Sequence, residues 1–253
     1  MKFLRSLFQF QGRNRTEPDK VITAGSFSFV AGIVNIVGIL AIGKLTTNVT
    51  GHFGFFIHEF SQNNIWQGVH FLLYIIFFFL GSFFGSILLH HFWKEKRLNV
   101  FVIPILIEVV LLLGVIIFSS YFNFLDYPNA IAHVLLFTMG MQNAYVTRIS
   151  RTVIRTTHVT GLFTDFGIEL SSLFYTKDPQ AQKKLRYTIK LKILVISFFL
   201  LGGIVGGIAY TLFKLEIKTL YLGIAILIFY LFYDIIKFQF KYRNIGKAIG
   251  MRK

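Results

Sequence analysis

The stretch TTNVTGHFG, residues 46–54, returns as TTHVTGLFT, residues 156–164, at an offset of 110. Upstream, AGIVNIVG (31–38) returns as MGMQNAYV (139–146) at an offset of 108, keeping the glycine and the asparagine. Downstream, FFFLGSFFGS (77–86) returns as FFLLGGIVGG (198–207) at an offset of 121. The three blocks keep their order, and the drifting offsets place small insertions in the second copy. A duplicated hydrophobic chain puts its site at the seam between the halves.

Working outward, the medium of the fold follows from composition. The chain has 253 residues, 55% hydrophobic and 17% aromatic, with mean hydropathy +0.64. A bilayer core needs ~20 apolar residues per helix. Six segments meet that need: Val21–Gly43, Val69–Trp93, Val100–Tyr121, Asn129–Val146, Leu191–Phe213 and Leu220–Phe238, the fourth being the shortest. No cysteine is present, which excludes disulfides and thiolate metal sites. No secretory signal precedes the first run, so it reads as a retained helix.

The net charge of +15 is one-sided. With six crossings, the N-terminal arm holds five Lys/Arg, the loop after the second span three (Lys94, Lys96, Arg97), the segment Arg148 to Lys192 nine, and the tail from Lys237 six. Only Lys44, Lys214 and Lys218 fall on the other side. This asymmetry predicts a bacterial inner-membrane protein with both termini cytoplasmic. It also predicts contact with anionic lipid headgroups. No nucleic-acid-binding motif accompanies the charge.

Each TTxVTG block leads into a short apolar element, residues 51–62 and 161–175, with Glu59 opposite Glu169. Thr50 and Thr160 read as N-caps of half-helices that re-enter the membrane or lie at its surface. Three spans and one short element per copy make the second copy inverted. The expected fold is an all-α integral membrane protein, one domain of about six transmembrane helices in a 3+3 inverted-topology repeat (21–122 and 129–238). A basic arm (1–20) and a basic tail (239–253) flank it. The insertion TKDPQAQKKLRYTIK (176–190) reads as a cytoplasmic loop with a turn at Asp178-Pro179.

The threonine blocks are the candidate substrate site: Thr46, Thr47, Thr50 and Gly51 in one copy, Thr156, Thr157, Thr160 and Gly161 in the other. Hydroxyls and exposed backbone at helix N-termini bind ions or polar solutes, although capping alone explains threonines there. Asn35, Gln142 and Asn143 lie within apolar runs, either lining a site or hydrogen-bonding between helices. Glu108 is an intramembrane acid, able to carry a proton or to pair with His133, His158 or an arginine. Asp165 and Glu169 share a helical face. With Glu59 and His158 they complete the candidates for proton or ion coupling. No metal site and no cofactor are expected. The small-residue faces Gly81-Ser82/Gly85-Ser86 and Gly202-Gly203/Gly206-Gly207 predict close packing of the second span on the fifth, or a sliding seam.

Gly32 and Asn35, then Val49 to Gly51, then GMQNA (140–144), then Thr160-Gly161, resemble the YoaK-type family of bacterial multi-pass membrane proteins (domain of unknown function 1275). The resemblance covers nearly the whole chain and implies a membrane location, without supplying a substrate. In the family the first-span polar position is usually Asp and the first block TGN. Here they are Asn35 and Thr50-Gly51-His52, so any proton-carrying role of that Asp does not carry over to Asn35.

Two readings follow. One is a small-solute transporter, with proton coupling as an option, working by alternating access around a midplane site of the TTxVTG blocks, Asn35 and Asn143. By analogy with half of a major-facilitator transporter it would act as a homodimer. The alternative is a non-transporting scaffold or lipid-binding protein. No catalytic constellation is visible, so no enzyme is expected.

Overall fold

A computed structural model describes residues 17–94, 102–149, 159–233 and 236. Among these residues there is no strand. The helices are α1 (Glu17–Ile42), α2 (Val49–Ser61), α3 (Ile65–Lys94), α4 (Val102–Tyr121), α5 (Pro128–Ile149), α6 (Val159–Tyr175), α7 (Pro179–Thr211) and α8 (Glu216–Tyr233). The last opens with a 3-10 turn, Glu216–Thr219. The expected arm up to residue 16, the centre of the Lys94–Arg97 loop, and the tail 239–253 lie outside the described residues.

Five described helices, α1, α3, α4, α7 and α8, are long and apolar enough to cross a membrane by length and composition. The expected fourth span is α5, whose 22 residues would rise ~33 Å at 1.5 Å each. Asn129, His133, Thr138, Gln142, Asn143 and Arg148 dilute its hydropathy. Its apolar face is enclosed by protein: Ala132, Leu135, Leu136 and Met139 are fully buried. A helix surrounded by other helices can carry polar side chains that a lipid-facing helix cannot.

Enclosure differs sharply between helices. In the most apolar stretch of α1, 67% of residues are buried, against 22% in α3 and in α7. The outer helices turn Phe83 and Ile87, and Ile204 and Ile208, outward. Such apolar exteriors suit lipid.

The two broadest helix contacts are α1 on α7 and α3 on α5, and both depend on glycine. A Cβ added to Gly32 would overlap the carbonyl oxygen of Phe199, and one on Gly202 that of Phe29. A Cβ on Gly81 would overlap the carbonyl of Phe137, and one on Gly140 that of Phe78. Backbones therefore touch at four points, in two reciprocal pairs. Gly32 and Phe29 are separated from Gly140 and Phe137 by 108 residues. Phe78 and Gly81 are separated from Phe199 and Gly202 by 121. The expectation that the second span packs on the fifth is corrected here. The glycines of α3 receive α5, and those of α7 receive α1, so each glycine face closes on a helix of the other sequence copy.

Two further expectations are corrected. Residues 179–190 are not a loop, because α7 begins at Pro179 and runs unbroken for 33 residues. Asp178 is its N-cap, accepting from the N–H groups of Gln180 and Ala181 at 3.2 and 3.0 Å, and Pro179 fills the first helical position. Proline is favoured there because that N–H has no helical partner. Nor is Thr50 an N-cap. Asn48 holds that place on α2, its Oδ1 accepting from the Gly51 N–H at 2.9 Å. Thr160 likewise stands inside α6, one residue past its start.

Candidate functional site

A cavity of about 740 Å³ opens between α1, α3, α5 and α7, with the first turns of α2 and α6 on its wall. Asn35, Thr47, Asn48, Thr50, Ser82, Asn143 and Thr160 supply its polar groups. Ile75, Phe78, Phe79, Phe163, Ile196, Phe199 and Leu200 supply its apolar wall. The volume lies in the range of small-molecule sites, whose usual makeup is an apolar lining with a few placed polar groups. Most of the lining falls into pairs at the repeat offsets: Asn35 with Asn143, Thr50 with Thr160, Ile75 with Ile196, Phe78 with Phe199, and Phe79 with Leu200.

The polar lining differs in how it is satisfied. Thr47 donates to Asn35 Oδ1 at 2.8 Å, which fixes the Asn35 carboxamide on α1. Ser82 donates to the carbonyl of Gly140 at 3.0 Å. Asn143 Oδ1 is buried and has no hydrogen-bond partner. A buried acceptor left unmade is costly, and at a cavity wall a ligand donor removes that cost. Thr50 and Thr160 are exposed on the first turns of their helices, where unpaired N–H groups concentrate.

The other expected substrate residues are structural neighbours of the cavity. Thr46 is fully buried and donates to the Val34 carbonyl at 3.2 Å, closing the turn after α1 onto its last turns. Gln142 is fully buried, its Nε2 donating to the Phe27 carbonyl at 2.9 Å and tying α5 to α1. The backbone of Gly51 is engaged by Asn48, and Gly161 stands within α6. Thr156, Thr157 and His158 lie outside the described residues.

The acids form no cluster. Glu59 accepts from Asn64 Nδ2 at 2.8 Å at the end of α2. Asp165 and Glu169 do share one face of α6, and Lys192 of α7 answers both, at 3.7 and 2.8 Å. Lys192 is buried against α6, so its charge belongs to this pair of helices and not to an open basic fringe. Glu108 is fully buried on α4 and accepts a hydrogen bond from the Tyr145 hydroxyl. Its hydrogen-bond partner among the described residues is therefore a tyrosine, while His158, one of the partners considered for it, lies outside them. Among the described residues no group of three or more His, Cys, Asp or Glu could hold a metal ion.

Two basic groups flank the α1–α2 turn. Burial lowers the Lys44 ammonium from its ordinary value, with Glu59 opposing the shift. Burial also lowers His52, against the opposing bond to the Leu45 carbonyl at 2.6 Å, while nearby Lys44 lowers it further. A neutral ring that donates from Nε2 fits this geometry, and His52 then locks α2 to the turn before it.

Asn48, Ser82, Tyr145 and Lys192 were not singled out by sequence reasoning as site residues. Asn48 had a signal, because an Asx residue three positions before a glycine at a helix start is a capping pattern. Ser82 stood inside a small-residue face and read as packing. Tyr145 and Lys192 gave no local signal, since their partners are distant in sequence.

The model of a family described as "Protein of unknown function (DUF1275)" matches residues 23–233, almost the whole described region. No curated protein and no solved structure matches the chain. The chain belongs to this family, the one its paired Thr-Gly blocks and GMQNA segment resemble.

Proposed function

We propose that this member of a family of unknown function is a small-solute transporter of the bacterial inner membrane. In this reading six helices, α1, α3, α4, α5, α7 and α8, cross the bilayer as two inverted repeats, with both termini cytoplasmic. The solute occupies the cavity between the copies, and access alternates between its two sides. The observation that carries the reading is the lining of the cavity by residue pairs at the repeat offsets, with the asparagines Asn35 and Asn143 among them. The reciprocal glycine contacts support it further, since each copy packs on the other by equivalent backbone points. Inverted repeats place substrate sites at the repeat interface and use broken-helix N-termini to hold polar groups. α2 and α6 are the candidates for that part. The homodimer stays an architectural proposal, and no catalytic role is assigned.

The test is a thermal-shift screen of the detergent-solubilised protein against metabolites, ions and lipids. A soluble hit at 100 times its Kd stabilises by about 2.7 kcal/mol. Asn143→Ala is expected to remove most of that shift while leaving the melting of the free protein close to wild type. Stabilisation by anionic lipid alone, unchanged in Asn143→Ala, would favour the scaffold or lipid-binding reading.

A further inference from the structure

Glu108 is fully buried, one turn and a half into α4. Its Oε2 accepts from the Tyr145 hydroxyl, and its Oε1 is buried with no hydrogen-bond partner. Among the described elements, α5, α3 and the 3-10 turn that opens α8 pack on α4. Among the described titratable groups on these elements, Tyr145 of α5 is the one that hydrogen-bonds the carboxyl. Arg148 is engaged by Ser86 and His90 at 3.1 and 2.7 Å, and His133 packs on Tyr74 and Phe77. Tyr74 bonds Asn129, His70 and His91 are on α3, and Glu216 and Lys218 are on the turn. Among the described residues no cation pairs with the carboxylate. A buried carboxylate without a counter-ion is disfavoured far more than the neutral acid.

The surroundings of Glu108 reach the cavity. Tyr145 and the cavity residue Asn143 stand within one turn of α5. Between them in function is Gln142, which ties this turn to Phe27 of α1. Phe27 packs edge-on against Tyr145 and against Tyr230 of α8, with ring centres 5.4 and 4.9 Å apart. The Tyr230 hydroxyl shares a hydrogen bond of 2.9 Å with Thr23, near the start of α1. The last turns of α5 thus join the acid, the cavity and α1 in one packed unit.

We propose that Glu108, held by Tyr145, is a proton-binding site in the membrane interior, and that its proton is the ion coupled to solute movement through the cavity. The step is protonation alone: a carboxylate oxygen takes a proton from water and gives it back. In the acid form the Glu108 hydroxyl is a donor, and in the ionised form both oxygens are acceptors. The two forms hold Tyr145, and with it the turn carrying Asn143, differently. The coupling half rests on the transport reading, whereas the proton-binding half does not.

Infrared spectroscopy of the purified protein tests the first half without needing reagent access. A carbonyl band of an un-ionised carboxylic acid is expected at neutral pH. It should be missing in Glu108→Gln and shifted in Tyr145→Phe, with size-exclusion profile and melting showing both variants folded. Absence of the band in the folded wild type, or its persistence in Glu108→Gln, overturns the site. The second half is read from Thr50→Cys and Thr160→Cys with a water-soluble methanethiosulfonate. The ratio of their labelling rates is expected to change severalfold with pH, and to become independent of pH when Glu108→Gln is added. The band present, with a ratio that follows pH equally in Glu108→Gln, keeps the proton site and overturns the coupling. Protection of both cysteines at every pH overturns the coupling together with the transport reading beneath it, again leaving the proton site standing.

Discussion

Gly32→Ala and Gly140→Ala each lower the stability of the detergent-solubilised protein by about 3 kcal/mol, at the upper end of what overpacking costs. The reason is the identity of the obstructing atoms. A methyl group on Gly32 meets the carbonyl of Phe199, and one on Gly140 that of Phe78. Backbone cannot rotate aside as a side chain does, so α1 must move off α7, or α5 off α3. Gly114→Ala is the control, because nothing lies within 4 Å of its added Cβ. In a helix interior that change stabilises by up to about 1 kcal/mol. Thermal melting of the three variants, with aggregation followed by size exclusion, checks the ranking. Equal melting of all three would contradict the close backbone contact.

Lys192→Met is expected to have the second large effect. Its ammonium is buried between α7 and α6, 2.8 Å from Glu169 and 3.7 Å from Asp165. Removing one partner of a buried pair leaves the other charge uncompensated, at a cost of roughly 3 kcal/mol. Glu169 is partly open to its surroundings, its side chain 24% exposed, and relaxation toward water reduces that figure. Asp165 is 61% exposed at 3.7 Å, so Asp165→Asn changes little. Lys192→Met combined with Glu169→Gln recovers much of the loss. A double variant as unstable as Lys192→Met alone, in a thermal melt, would show that the lysine acts through packing of its stem.

The helices and the pairing of their sequence blocks were legible because both are written locally, in apolar runs and repeated Thr-Gly words. The cavity residues Asn35, Thr47, Thr50, Asn143 and Thr160 were legible through the same repetition. Partner choice was not. Gly81 and Gly202 announce close approach but carry no label for the helix that arrives, and both receive helices other than each other. Asp178-Pro179 fits a turn and equally an N-cap with proline at the first helical position. Only the continuation of helix-forming residues through Tyr187 separates the two. The hydropathy of α5 understates its place in the fold, since a helix enclosed by protein has no need of a fully apolar surface. Tyr145 meets Glu108 and Lys192 meets Glu169 across gaps in sequence that no spacing rule reaches.

The most direct measurement of the central claim uses the absence of cysteine in the chain. Thr50→Cys and Thr160→Cys, each introduced alone, are labelled with a membrane-impermeant thiol reagent in right-side-out and in inverted vesicles. The account predicts that both react. It places Thr50→Cys within reach of the outer face and Thr160→Cys within reach of the cytoplasmic face, and a bound solute slows both. Protection of both positions in every condition, or labelling of both from the same face alone, would contradict a cavity that opens alternately to the two sides.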